Sequence, residues 1–243
     1  METRRIKRAV IMAAGRGTRL YPLTDHTPKP LTKVCGKVII ETVIDSLIFN
    51  GINEIVVVTG YLGNKFEYLR EKYKNVTLLT NPYWAECNNI SSLYVARDYL
   101  EDAFIVDGDQ LISDPHVFDP VFEKSGYSAV WTDSPSREWI LQLEGRDIIS
   151  CSRTGGEKGW QLFGISRWTA EDGKRLKLHV EKEFDIKGNR QIYWDDIPVF
   201  CYPEEYALSA YPLEPGKVIE IDSISELIQI DKSYEYLEGD DRQ

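Results

Sequence analysis

The first half of the chain alternates short apolar runs with stretches of helical periodicity, and this alternation restricts the fold more than any other feature. Residues 7–12 predict a short strand. From Val38 onward, Ile39, Ile40, Val43, Ile44, Leu47 and Ile48 recur at helical spacing, and Gly51 follows where a C-cap belongs. Residues 52–60 ("INEIVVVTG") predict a buried strand, 64–73 a helix, 76–80 a strand, 90–100 a helix and 103–109 ("AFIVDGD") a further strand. Strands alternating with helices imply an α/β, doubly wound, Rossmann-like sheet that is largely parallel. Beyond residue 127 the pattern changes. Residues 128–133, 138–145, 147–153 and 161–168 are short alternating runs separated by Gly, Ser and Pro, which predicts antiparallel additions that make the sheet mixed. Residues 169–184 predict a helix, 217–222 a strand and 223–237 a closing helix with Ser223 or Ser225 as its N-cap. No repeat, low-complexity tract or linker composition divides the chain. Residues 1–243 are therefore expected to form one domain, with a core of about 7–135 and 215–237 and a substrate-binding elaboration of about 136–214.

A chain of 243 residues with 42% hydrophobic content can bury a large core. With 29 Lys+Arg against 39 Asp+Glu and a formal net charge of -10, its overall field disfavours nucleic acid and anionic membrane surfaces. Any phosphate-bearing ligand must then be held by a local site. The basic cluster of Arg4, Arg5, Lys7 and Arg8 leads into a strand and not into an apolar signal segment. No run approaches the roughly 20 apolar residues that a membrane helix requires. Cys35, Cys87, Cys151 and Cys201 form no C-x-x-C pair, and His26, His116 and His179 lack metal-ligand spacing. A reducing cytoplasm fits that cysteine usage.

Straight after the first strand comes "AAGRGTRLYPLTDHTPKPL". Ala13, Ala14, Gly15 and Gly17 remove side-chain bulk, so backbone N–H groups can approach a ligand closely, and an anion is the natural guest. The spacing is neither the dinucleotide GxGxxG nor GxxxxGK[ST]. Arg19 and Lys29 beside this loop, in an acidic chain, point to neutralisation of phosphates. The strand over 103–109 ends in Asp107 and Asp109, at the carboxyl end where α/β sheets place ligands. The pair suits a solvated strand-ending turn. It also suits a hard cation such as Mg2+, held by one or two carboxylates plus phosphate oxygens.

"MAAGRGTRLYPLTDHTPKPL" resembles the signature of the nucleotidyltransferases that couple a nucleoside triphosphate to a phosphorylated small molecule. The resemblance implies that Ala13, Ala14, Gly15 and Gly17 cradle the triphosphate, that Arg19 and Lys29 are the catalytic cations on its phosphates, and that Mg2+ is held by Asp109 and by Asp222 of "VIEIDS". Asp107 is left ambiguous, with a place behind the metal ligands as one reading. "NPYWAECNNISSLY", "SREWIL", "QIYWDDIPV" and "VIEIDS" look like blocks of one branch, the bacterial CTP:phosphocholine cytidylyltransferases, in the same order, so the resemblance spans nearly the whole chain. It implies that Trp139, Tyr193 and Asp195 line a quaternary-ammonium site, which agrees with aromatics lying beside the acids Glu138, Asp195 and Asp196. It also places base recognition at Asn81, Asn88, Asn89 and Ser91, each of which equally suits a loop capping the helix that begins near Ile90. The implied reaction is in-line attack of the phosphocholine phosphate on the α-phosphate of CTP, giving CDP-choline and pyrophosphate. Alternative acceptors are 2-aminoethylphosphonate, phosphoethanolamine or a sugar 1-phosphate. A non-catalytic nucleotide-sensing subunit is the alternative from a different class.

Overall fold

In a computed structural model the chain is described over residues 3–239; residues 1, 2 and 240–243, the ends of the expected domain, lie outside the described residues. The expected alternation is present as β1 (Arg8–Ala13), α1 (Ile39–Phe49), β2 (Glu54–Thr59), α2 (Tyr68–Lys72), β3 (Val76–Thr80), α3 (Ile90–Val95) and β4 (Ala103–Asp107). The four strands are parallel and lie in the order β3-β2-β1-β4. Both faces are covered, as the apolar runs require. Ala9, Ile11 and Ala13 of β1 pack into one core with Ile40, Val43, Ile44 and Leu47 of α1, while Val10 and Met12 pack into a second core that contains Ile90 and Leu93 of α3.

The second half adds β5 (Gln110–Ile112), β6 (Gly126–Thr132), β7 (Ile140–Glu144), β8 (Asp147–Ser152), β9 (Gly159–Trp168), α4 (Ala170–Glu181), β10 (Ser209–Leu213), β11 (Val218–Glu220) and α5 (Ile224–Ile230). β9 joins the halves: Ile165–Trp168 pair antiparallel with β4, Trp160 and Gln161 pair with β7, and β6 runs antiparallel along the other edge. The antiparallel expectation thus holds for β6, β7, β8 and β9. β10 differs, because it pairs in parallel with β6 from Gly126↔Ser209 to Val130↔Leu213.

Several helices are shorter than their sequence periodicity predicts. The helix expected over 64–73 is a 3-10 turn at Gly63–Phe66 followed by α2, whose five residues are too few to stand alone and are anchored by buried Phe66 and Leu69. The helix expected over 90–100 stops at Val95 and continues as a 3-10 turn at Arg97–Tyr99. The closing helix stops at Ile230, since Asp231 turns to an extended backbone before a second, 3-10 segment. Its N-cap is Ser223, whose hydroxyl accepts from the Glu226 N–H at 3.2 Å. α1 ends as expected, with Gly51 at φ +80 after Asn50. Among the described residues, no helix is long and apolar enough to cross a membrane.

The segment between β3 and α3 is tied down by its own polar side chains. Asn81, 1% exposed, donates from Nδ2 to Ser91 Oγ at 3.0 Å and to Ser92 Oγ at 3.1 Å, and its Oδ1 accepts from the Tyr83 N–H at 2.8 Å. Ser91 in turn donates to the Asn88 carbonyl at 2.8 Å. The side chains expected to read a base at Asn81 and Ser91 are therefore spent inside the protein. Asn81→Ala would leave the Tyr83 N–H and two serine hydroxyls short of a partner, at a cost of about 1–3 kcal/mol. Urea unfolding is expected to show that loss; a variant of parental stability that no longer binds nucleotide would return Asn81 to base recognition.

Candidate active site

The carboxyl ends of β1 and β4 lie side by side, and β9 departs antiparallel on the far edge of β4, so a crevice opens above this point in the sheet. A cleft of about 340 Å³ occupies it. One end is walled by the loop after β1, with Ala13, Ala14, Gly15 and Gly17 all on its lining. A Cβ built on Gly15 would meet nothing within 4 Å, so the missing side chain there leaves room in the cleft and serves no packing need. Gly17 has a different reason: its φ is +65, and a Cβ would lie 2.8 Å from Cβ of Lys29. That close approach lets the loop fold against the lysine stem.

Lys29 sits in a 3-10 turn between Pro28 and Pro30 and is only 4% exposed. Its ammonium lies 2.8 Å from Asp109 Oδ2 and 2.9 Å from Asp222 Oδ1, and Arg19 Nη2 reaches the same Asp222 oxygen at 2.8 Å. Burial works against the lysine charge, but Asp109 and then Asp222 outweigh it and hold the pKa above the ordinary lysine value. Local structure explains how residues so distant in sequence meet. β5 pairs antiparallel with β11 through Gln110↔Glu220, which carries Asp109 and Asp222 to one place just past the pairing. Beneath them Leu20, Val34, Ile39, Leu111, Ile221 and Leu227 form a small apolar cluster that packs the start of α5 against the first loop. Glu226 reaches back from α5 to accept the Asp222 N–H at 2.6 Å.

The donor set fits a hard divalent cation. Asp109 Oδ2 and Asp222 Oδ1 both meet the Lys29 ammonium, so the two carboxylates stand close enough to share a cation, and among the described residues no group of three or more His, Cys, Asp or Glu could hold a metal without other ligands. Two carboxylates completed by phosphate oxygens and water is the usual arrangement for Mg2+. Asp107, ambiguous from the sequence, and Glu220 and Gly164, not singled out from the sequence, also belong to this site. Asp107 lines the cleft, and burial pushes its carboxyl well above the usual range, with Asp109, Asp195 and Glu220 adding to the rise. A Cβ on Gly164 would stand 1.9 Å from Asp107 Oδ2, so this strand glycine makes room for that carboxyl. Glu220 is pushed up to about 8 by burial, then by Asp109, Asp222 and Glu138. Its spacing of two from Asp222, along a strand, was the available signal.

The same lining also includes Glu138, Trp139, Tyr193 and Asp195. Trp139 and Tyr193 meet edge to face, with centroids 6.0 Å apart and planes at 83°. Burial pushes Asp195 up to about 7 despite the opposing Tyr127 hydroxyl. Of the four residues expected at the base, Asn89 lies on the cleft lining, with Ser92 from outside that set. Asn89 Oδ1 accepts from the Trp194 N–H at 2.8 Å, and Asn88 Nδ2 donates to the Gln191 carbonyl at 3.2 Å. These two asparagines thus join the segment before α3 to the segment that carries Tyr193 and Asp195.

Residues 8–125 match the family described as Nucleotidyl transferase. The chain is 41% identical over 231 residues to a 2-aminoethylphosphonate cytidylyltransferase of Lancefieldella rimae, covering 94% of each chain. It is 33% identical over 229 residues to a choline-phosphate cytidylyltransferase of Streptococcus pneumoniae, covering 93% of this chain and 97% of that one. A solved structure of CTP:phosphocholine cytidylyltransferase from Streptococcus pneumoniae superposes with a TM-score of 0.87 at 31% identity, over 95% of this chain and 99% of that one. With a glycine loop, a buried lysine and two convergent carboxylates at the crevice of a doubly wound sheet, and with relatives alike along almost their full length, the chain belongs to the nucleotidyltransferase family, among its cytidylyltransferases.

Proposed function

We propose that the chain transfers the cytidylyl group of CTP to a small acceptor that carries a phosphoryl group at one end and an ammonium group two carbons away, releasing pyrophosphate. The observation that carries this reading is the make-up of one cleft lining: Lys29 and Arg19 stand on it with the glycine loop, and Asp195 and Glu138 stand on it with the rings of Trp139 and Tyr193. 2-Aminoethylphosphonate is the first choice of acceptor. A primary ammonium has three N–H donors to satisfy, and Asp195 and Glu138 offer carboxylate oxygens on the cleft lining. The face of Phe200, behind Trp139, is already covered by the Arg153 guanidinium at 3.9 Å, which leaves fewer aromatic faces for a quaternary ammonium. The relative at 41% identity carries this acceptor in its name. Phosphocholine is the second reading, favoured by the open Trp139–Tyr193 corner and by the choline-phosphate relatives.

The chemistry asks little of a general base. A phosphoryl group with a second pKa of about 6 is largely dianionic at neutral pH and attacks the α-phosphorus directly. The obstacle is repulsion between two anions, together with alignment. Lys29 is fixed by its two ion pairs and its prolines, so its charge stands ready at the phosphates with little reorganisation. Arg19, 68% exposed, supplies a second cation that can swing onto the triphosphate. Mg2+, held by Asp109 and Asp222, would neutralise phosphate charge in the transition state. The loop of Ala13, Ala14, Gly15 and Gly17 admits the triphosphate close to the backbone, and Asn89 faces the nucleotide from the α3 side.

A pyrophosphate-release panel of four nucleoside triphosphates against 2-aminoethylphosphonate, phosphoethanolamine, phosphocholine and glucose 1-phosphate tests the reading. CTP with 2-aminoethylphosphonate is expected to give the highest kcat/KM. A preference for phosphocholine would turn the assignment to the second reading, and a preference for glucose 1-phosphate would contradict both. The pH dependence is expected to be asymmetric. Asp195, pushed up to about 7, is ionised above that pH and loses its hold on an ammonium as protons bind. The acceptor KM should therefore rise as pH falls through 7, approaching about tenfold per pH unit, while the KM for CTP does not follow. An acceptor KM that is flat between pH 8 and 6 would remove Asp195 from acceptor binding.

A further inference from the structure

The two adjacent acids Asp195 and Asp196 have different partners. Asp195 lines the cleft, whereas Asp196 is 3% exposed and turns away from it. Asp196 Oδ1 lies 2.5 Å from Arg153 Nη2, and its Oδ2 accepts from the backbone N–H of Tyr193 at 3.0 Å. The Asp196 N–H returns to the Tyr193 carbonyl at 3.1 Å, which closes a tight turn around Trp194 and Asp195. On its other side the Arg153 guanidinium lies over the ring of Phe200 at 3.9 Å. Phe200 meets Trp139 edge-on at 5.4 Å and 71°, and Trp139 meets Tyr193 at 6.0 Å and 83°. The contacts form a closed circuit, Arg153 to Asp196 to Tyr193 to Trp139 to Phe200 and back to Arg153. Neither Arg153 nor Asp196 is on the cleft lining, yet the circuit holds the two aromatic residues Trp139 and Tyr193 that are.

We propose that Arg153 and Asp196 are positioning residues that staple Tyr193 and Trp139 into the wall of the ammonium pocket, and that Arg153 thereby sets the selectivity for acceptors that carry an ammonium group. The proposal rests on the reading of Trp139, Tyr193 and Asp195 on the cleft lining as that pocket. The charge arrangement supports it. A cation as close to the pocket as Arg153 would repel an ammonium unless it were neutralised, and Asp196 neutralises it at contact distance while Asp195 stays available to the acceptor. The pair itself is half in water on the arginine side, where ion pairs contribute little, but buried on the aspartate side, where loss of the partner strands a carboxylate. Arginine suits the post better than lysine, because a planar guanidinium can stack on Phe200 and grip a carboxylate at the same time.

The test compares 2-aminoethylphosphonate, or phosphocholine if the parent prefers it, with ethylphosphonate, which lacks the ammonium group. The parent is expected to discriminate strongly between them. Arg153→Ala should lower that discrimination by about tenfold, within the range by which contacting residues in one network couple. The loss should fall on the KM for the ammonium acceptor, with kcat and the KM for CTP changed less than twofold. Arg153→Lys keeps the charge without the flat stack and should lie between parent and alanine variant, which also keeps the proposal testable if Arg153→Ala fails to fold. Asp196→Asn should reproduce the loss from the other side of the pair. A discriminating parent whose arginine variants discriminate equally well, or variants that lose CTP and acceptor together, would overturn the staple alone. A parent that uses ethylphosphonate as readily as the ammonium acceptor would overturn the pocket reading and the staple with it.

Discussion

The ammonium of Lys29, buried and placed 2.8 Å from Asp109 and 2.9 Å from Asp222, is the interaction on which the arrangement of the cleft depends. It draws together three segments that share no local contact in sequence: the loop after β1, the turn after β4 and the strand before α5. A charge taken out of water is costly unless it is paired, and here two carboxylates meet one ammonium while Arg19 shares the second of them. The glycine at 17 exists for the lysine, since a Cβ there would collide with the lysine stem. The apolar cluster around Leu20 and Leu227 then holds the C-terminal segment against the first loop. On the proposed function, the same charges would exchange partners with a triphosphate and a cation.

Acidic groups outnumber basic ones along the rest of the cleft. Asp107, Glu138, Asp195 and Glu220 line it together with Asp109, against Lys29 and Arg19. Burial raises the Asp107 carboxyl well above the ordinary carboxylate range, and pushes Asp195 up to about 7 and Glu220 up to about 8. Asp195 faces the cleft while its neighbour Asp196 is committed to Arg153, so the ion pair leaves the Asp195 carboxylate on the lining.

How much of this was legible in the sequence followed the range of the interactions. β1, β2 and β4 were visible because a strand buried on both faces is a continuous apolar run, the edge strand β3 because its short run is rich in Val, Thr and Leu, and α1 because its stripe and its C-terminal glycine are local. β5 has three residues and β10 contains Pro212, so neither shows a period, and both are defined by distant partners in β11 and β6. α5 was overextended because Asp231, which breaks it, does not interrupt the apolar spacing. In the site, Gly17, Arg19 and Lys29 were readable as one segment. Asn81 and Ser91 were not, since an asparagine offered to a ligand and one spent on two serines look alike until their neighbours are known. Gly164 and Arg153 act through contacts with Asp107, Asp196 and Phe200 that no linear pattern announces.

We propose that the carboxylates gathered at the ends of β4 and β11 serve phosphoryl chemistry and not merely the fold. Turnover of Asp109→Asn at saturating Mg2+, measured beside its urea unfolding midpoint, tests it most directly. Asp109 is about one-third exposed, with a side-chain exposure of 32%, and its substitution leaves Asp222 on Lys29, so the midpoint should stay close to that of the parent. Turnover should fall by at least about a hundredfold, the scale on which loss of one preorganised electrostatic group acts in a transition state. Turnover near that of the parent, with stability unchanged, would contradict the account.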